Sequence, residues 1–236
     1  MDDDKDLKLI EDLATKISSG SCESILAALY REMLLGLGLS PSMFSRKLTT
    51  FCEKVVDVLD APTYKYRAYV KAKETHILGR LLNNRFTIDT LIIGIRLLGI
   101  PSIKLVIGFE DDKGTTVRKI ESDVLSTEVT VVKDKKITAK GNEYLYNFMT
   151  KIISDLGYIF EEVYDKFKIH YKYLTTTKSG QCFITNTARD YNSKRIGWQV
   201  FYRILTVFGY RRCSLYLILN HANKKCTMYK KTFTLT

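Results

Sequence analysis

The chain has 236 residues, 45% of them hydrophobic and 27% charged, with 37 Lys and Arg against 26 Asp and Glu and only three Pro. That balance excludes a disordered, collagen-like or low-complexity chain and leaves room for one large domain or two small ones. No apolar run reaches the roughly 18 residues that span a bilayer, and acid opens the sequence where a signal peptide places Lys or Arg, so the expectation is a soluble cytoplasmic protein with no membrane partner.

Asp2, Asp3, Asp4, Asp6, Glu11 and Asp12 crowd the first dozen positions, and residues 1–20 are expected to form a solvated acidic tail. A first unit, residues 21–132, begins with an amphipathic helix from Ser24 to the stop at Gly38. The stretch Arg31 to Leu48 has the layout of a helix-turn-helix: Gly38 for a positive-φ turn, Ser40 as N-cap and Pro41 at the first helical position. Phe44 and Leu48 then face the core. Ser42, Ser45, Arg46 and Lys47 stand on the outward part of the second helix, where they can reach phosphates and base edges, and Arg46 can make a bidentate contact to guanine. An ordinary helical hairpin is the alternative. That second helix is expected to run to Leu59, and a stretch with interleaved Tyr64, Lys65, Tyr66, Arg67, Tyr69 and Lys71 follows. Beyond Arg85, Thr87 can cap a helix carrying Ile88, Leu91, Ile95 and Leu98. Gly99 then stops it, and a strand from Ile103 to Phe109 turns at Asp111-Asp112-Lys113-Gly114 into a second strand, Thr115 to Ser122.

The boundary falls near Val132 to Lys140, and residues 133–236 repeat the plan. Asn142 to Gly157 is a second glycine-stopped helix and Ile159 to Phe167 a second partner helix. Lys168, His170, Tyr171, Lys172 and Tyr173 form the interleaved stretch. Asn192 to Leu219 then matches Asn83 to Phe109 when Gly209 is set on Gly99, with Arg195 on Arg85, and Thr227 to Leu235 is the returning strand. The expected fold is therefore α+β, a tandem duplication of an ααα(ββ) unit in which a helical, helix-turn-helix-like part precedes a β-hairpin. The second copy departs from the first at its second helix, where Glu161, Glu162 and Asp165 outnumber Lys166, so that helix cannot lie against phosphates.

Charge divides unevenly. Met1 to Thr127 holds 18 basic and 18 acidic residues, whereas Glu128 to Thr236 holds 19 basic against 8 acidic, together with 11 of the 15 tyrosines and the single tryptophan, Trp198. This asymmetry points to a polyanion-binding half. The candidate nucleic-acid contacts are Ser42, Ser45, Arg46, Lys47, Lys65, Arg67, Lys71 and Arg85 in the first unit, and Lys168, Lys172, Lys194, Arg195, Arg211 and Arg212 in the second. Tyr171, Tyr173 and Tyr191 are candidates to stack on unpaired bases, with packing as the alternative.

The sequence has no P-loop, no G-x-G-x-x-G after a strand, no H-E-x-x-H and no nucleophile elbow. Its five scattered cysteines and three isolated histidines have no ligand spacing. No catalytic residue, metal site or cofactor is therefore assigned, and an enzyme is not expected. In the segments Lys71 to Gly99 and Arg195 to Gly209, around Trp198 and Phe201, the unit resembles small helix-turn-helix-like proteins of large tailed bacteriophages. The resemblance implies a phage-encoded, nucleic-acid-associated protein in the host cytoplasm. The expected function is a DNA-binding regulator, DNA being preferred to RNA as the partner and self-association left open. The alternative is a non-enzymatic interaction module, a virion component or an inhibitor of a host protein.

Overall fold

A computed structural model describes residues 22–38, 87–128, 130–131, 137–172 and 178–235. The chain divides into two compact units, Met1–Ile100 and Pro101–Thr236. This division by packing differs from the repeat boundary at residues 132/133 expected from sequence, because the first hairpin belongs to the second compact unit.

In the first unit, helix α1 (Cys22–Gly36) packs against helix α2 (Ile88–Leu97). Helical spacing puts Leu26, Leu29, Tyr30 and Met33 of α1 and Ile88, Leu91, Ile92 and Ile95 of α2 in the buried layer. Both helices end in the way their glycines allow. Gly38 has φ +65° and its N–H meets the Leu35 carbonyl at 3.0 Å, while Gly99 has φ +76° and meets the Arg96 carbonyl at 2.9 Å.

The second unit is a mixed layer of helices and antiparallel sheet. Strands β1 (Ser102–Glu110) and β2 (Thr116–Glu121) form one hairpin, and β6 (Arg212–Asn220) and β7 (Cys226–Thr234) the other. Their first strands pair, giving the order β2-β1-β6-β7, with the short β3 (Leu125–Ser126) also on β1. A separate ribbon joins β4 (Thr130–Val131) to β5 (Ile137–Thr138). Helices α3 (Gly141–Asp155), α4 (Phe160–His170), α5 (Lys178–Asn192) and α6 (Trp198–Leu205), and a 3-10 turn at Thr206–Phe208, complete the unit.

Alternation decides which strand residues meet the helices. Ile103, Leu105, Ile107 and Phe109 of β1 and Cys213, Leu215, Leu217 and Leu219 of β6 are fully buried on one face. The Phe208 ring meets Phe109 edge-on at 6.2 Å there. The Tyr144 hydroxyl of α3 receives the Leu105 N–H at 3.0 Å and shares a 2.5 Å hydrogen bond with the Ser122 hydroxyl. Burial in this seam pushes the Tyr144 hydroxyl up to about 12, with the Ser122 and Leu105 hydrogen bonds opposing that rise. The protonated phenol is thus favoured in the folded state. Its contribution is complete below the unfolded value of about 10 and is lost as pH rises through about 12. Urea midpoints measured from pH 8 to 12 are expected to fall in that window, and more shallowly in Tyr144→Phe, which costs about 1 kcal/mol at neutral pH. Identical slopes for the two proteins would contradict this assignment.

The two hairpins correspond at a spacing of 110 residues. Asp111 N–H meets the Thr115 carbonyl at 2.9 Å and Gly114 N–H the Asp111 carbonyl at 3.0 Å; His221 with Lys225 and Lys224 with His221 repeat these bonds at 2.9 and 3.0 Å. Gly114 and Lys224 both have positive φ, +78° and +62°, as do Gly99 and Gly209, +76° and +79°. The β1–β6 register pairs Val106 with Tyr216, residues that are themselves 110 apart, so the same spacing holds across the centre of the sheet. A bulge breaks the likeness. Phe109 faces Arg118 while Glu110 faces Thr116, which leaves Val117 as an extra, half-exposed residue in β2. Leu26, Leu29 and Met33 of α1 and Leu145, Phe148 and Ile152 of α3 are buried at the same helical spacing.

One helix departs from the expected plan. Three helices are read from the sequence of the second copy, but α5 makes a fourth. Its segment KSGQCFITNTARDYN is polar on balance and includes Gly, Thr and Asn, weak helix formers that hide the period. The buried positions Gly180, Ile184, Thr187 and Tyr191 nevertheless recur at helical spacing. Thr187 Oγ1 donates back to the Phe183 carbonyl at 2.9 Å, which satisfies the hydroxyl inside the helix.

Candidate nucleic-acid interface

Residues 101–236 hold 23 basic and 13 acidic side chains, whereas residues 1–100 hold 14 and 13. The charge excess therefore sits almost wholly in the second compact unit. Of the sequence-predicted contacts, Ser42, Ser45, Arg46, Lys47, Lys65, Arg67, Lys71 and Arg85 lie outside the described residues, as does Tyr173. Lys168, Lys172, Lys194, Arg195, Arg211 and Arg212 lie within them, in three groups.

The first group closes α4. Acid opens this helix: the Glu162 carboxylate accepts the Ile159 N–H at 3.2 Å, capping the end where partial positive charge gathers. Lys166, Lys168, His170 and Lys172 stand exposed at its other end, where cations suit the dipole. Lys168 pairs with Asp165 at 2.6 Å, which raises its pKa through that hydrogen bond. Its ammonium also stands 5.0 Å from the Tyr164 ring centre, and Lys166 stands 4.0 Å from that of Tyr158.

The second group is the loop between α5 and α6. Ser193 N–H meets the Arg189 carbonyl at 2.9 Å, Lys194 N–H the Tyr191 carbonyl at 2.9 Å, and Arg195 N–H the Asp190 carbonyl at 2.8 Å. This closure puts Lys194 at φ +56°, a conformation in which glycine is at ease and lysine is not. The turn holds the Lys194 ammonium 5.8 Å from the Tyr146 ring centre.

Between these groups runs a file of aromatic rings. Tyr146 lies 5.2 Å from Tyr191, and Tyr191 stacks on Phe160 at 3.4 Å and 5°. Phe160 continues to Tyr164, Phe167 and Phe183, and the Arg203 guanidinium lies 4.0 Å over the last. Burial raises the Tyr191 hydroxyl. Tyr191 is thus a packing residue whose faces meet other rings, and it does not present itself to a base. Tyr171 is half-buried, with Phe167 at 4.7 Å and Phe183 at 5.3 Å.

No family model matches this sequence, and no curated protein or solved structure matches it.

The third group opens β6, and its two members differ. Arg211 is 85% exposed with Asp112 at 4.0 Å, a pair that solvent screens almost completely. Arg212 instead donates to the buried Glu110 carboxylate at 3.0 Å, where the Ser214 hydroxyl also donates and Lys230 stands at 3.8 Å. Arg212 therefore helps neutralise a buried carboxylate of the sheet, and its removal would leave Glu110 to Ser214 and Lys230. Glu110 is not a candidate in the sequence reading, whereas Lys230 belongs there to the basic residues of the second unit suited to phosphate contact. Their signal is strand parity: both fall on the face opposite the apolar alternation. Among the described residues, no group of three or more His, Cys, Asp or Glu converges as a metal ion requires, and no helix is long and apolar enough to cross a membrane.

Proposed function

We propose that this chain is a nucleic-acid-binding protein, a phage-encoded DNA-binding regulator in which residues 101–236 supply affinity and the segment carrying Ser42, Ser45, Arg46 and Lys47 supplies recognition. The observation that carries this reading is the charge distribution: an excess of ten basic side chains in residues 101–236 against one in residues 1–100. Exposed Lys166, Lys168, Lys194, Arg195 and Arg211 add to its support, because cations resting on rings or facing solvent can be drawn to phosphates at little cost. The same reading takes the chain as a tandem duplication, supported by the 110-residue correspondence of the hairpins, and places it in the host cytoplasm.

The test is binding of the full chain to labelled duplex DNA, single-stranded DNA and RNA across a salt series. Arg211→Glu is expected to weaken binding to every sequence several-fold and to flatten its salt dependence, whereas Arg46→Ala relaxes preference among duplexes. Lys194→Gly removes a charge at a position that already favours glycine, and so should weaken binding with no loss of stability. Absence of binding at low salt would sink the proposal. It would favour the interaction-module reading, which draws on the exposed Ile159 just before α4 and Ile169 within it, 59% and 73% accessible.

A further inference from the structure

On the sheet face opposite the helices, Lys119, Glu121 and Lys230 of the outer strands are exposed, while Val106, Gly108, Ser214 and Tyr216 of the central strands are buried. Pairing places Glu121, Val106, Tyr216 and Lys230 in one row across the four strands, and Lys119, Gly108, Ser214 and Thr232 in the next. Gly108 leaves room for the neighbouring ring: a Cβ there would lie 3.3 Å from Tyr216 Cε2, so the tyrosine leans across a position without a side chain. Two ammonium groups stand over that ring, one from each outer strand, Lys119 at 5.3 Å and Lys230 at 5.4 Å from its centre. Tyr216 is 7% exposed, while Lys119 and Lys230 face solvent.

The charge on this face is positive. Among the described residues, Lys104, Lys119, Arg212 and Lys230 share this face with Glu110 and Glu121, and both carboxylates are engaged, Glu110 as described and Glu121 by Lys104, which lowers its pKa. A polyanion thus finds cations without meeting an uncompensated acid. We propose that this face binds single-stranded nucleic acid, its phosphates drawing Lys119 and Lys230 off the ring and an unpaired base stacking on Tyr216 in their place. The proposal rests on the nucleic-acid reading above and deepens it. The exchange runs downhill, because an exposed cation on a ring is held more weakly than a stacked base, each lysine gains a phosphate, and Glu110 keeps Arg212 and Ser214 when Lys230 leaves it. A duplex hides its base faces and gains only the phosphate contacts.

The experiment uses the full chain with labelled oligothymidylate, oligouridylate and a mixed-sequence duplex over a salt series, with circular dichroism melts on each variant. Single strands should bind more tightly than duplex. Tyr216→Phe should bind as the parent does, and Tyr216→Leu about tenfold more weakly to single strands with duplex binding unchanged. Lys119→Gln should flatten the salt dependence while leaving the ring in place. Photocrosslinking of a 5-bromouracil strand to the unmodified chain should mark the Tyr216 peptide, a readout that survives if Tyr216→Leu does not fold. Strand binding that is unaffected by Tyr216→Leu and crosslinks elsewhere would overturn this face and leave the nucleic-acid reading standing. Tight duplex binding with weak binding of both single strands would do the same. No binding of any of the three at low salt would overturn both.

Discussion

Phe201→Ala is expected to destabilise the second compact unit by about 3–5 kcal/mol. The Phe201 side chain is fully buried, its ring 5.6 Å from that of Phe148 on α3 and 5.2 Å from that of Trp198 one turn earlier on α6. Flat, rigid rings on two sides cannot collapse into the space that truncation leaves, so the cost includes a cavity as well as lost apolar transfer. Trp198 is the only tryptophan, so its fluorescence reports this contact directly in a urea titration. A change below 1 kcal/mol would mean that α3 and α6 do not meet through this ring.

Gly94→Ala tests the first unit by setting two effects against each other. Alanine is a better helix former than glycine by about 1 kcal/mol, so propensity alone predicts a gain. Packing predicts the reverse. A Cβ at position 94 would lie 2.6 Å from Tyr30 Oη and 2.8 Å from two carbons of its ring, and Tyr30 is 1% exposed, with burial holding its hydroxyl well above the usual tyrosine range. The ring has no solvent to move into, so α1 and α2 must part. The expected net loss is about 1–3 kcal/mol, read by thermal or urea unfolding of the full chain. Tyr30→Leu in the Gly94→Ala background should return part of it, and a stabilised single variant would show that the helices do not pack at this site.

Short-range signals account for what the sequence reveals. Leu91 and Ile95 mark α2 by their spacing, Gly99, Gly157 and Gly209 mark stops because positive φ is cheap only there, and alternation from Ile103 to Phe109 and from Cys213 to Leu219 marks both central strands. Strand pairing is different, since Ser102 meets Asn220 across more than a hundred residues and nothing local announces the partner. The buried Glu110 is a case in point. As a residue before an Asp-Asp turn it reads as solvated, and only the β1–β6 pairing brings Arg212 and Ser214 to it. Arg211 and Arg212 look alike as neighbours in sequence, yet Arg211 stands before β6 and faces solvent, while Arg212 opens the strand on the face that carries Glu110. The segment Ser42 to Lys47, proposed for recognition, lies outside the described residues, so the candidate site takes its geometry from the basic second unit alone.

The pairing of β1 with β6 also fixes the molecularity of the sheet. Two hairpins joined first strand to first strand would, in separate chains, assemble by mass action and come apart on dilution. Here residues 111 to 211 tether them, so each meets the other at an effective concentration set by the chain rather than by the solution. The sheet is then as complete at nanomolar as at millimolar protein, and the two ends are under no obligation to match: Asp111 and Asp112 sit at one turn, while Asn223, Lys224 and Lys225 sit at the other.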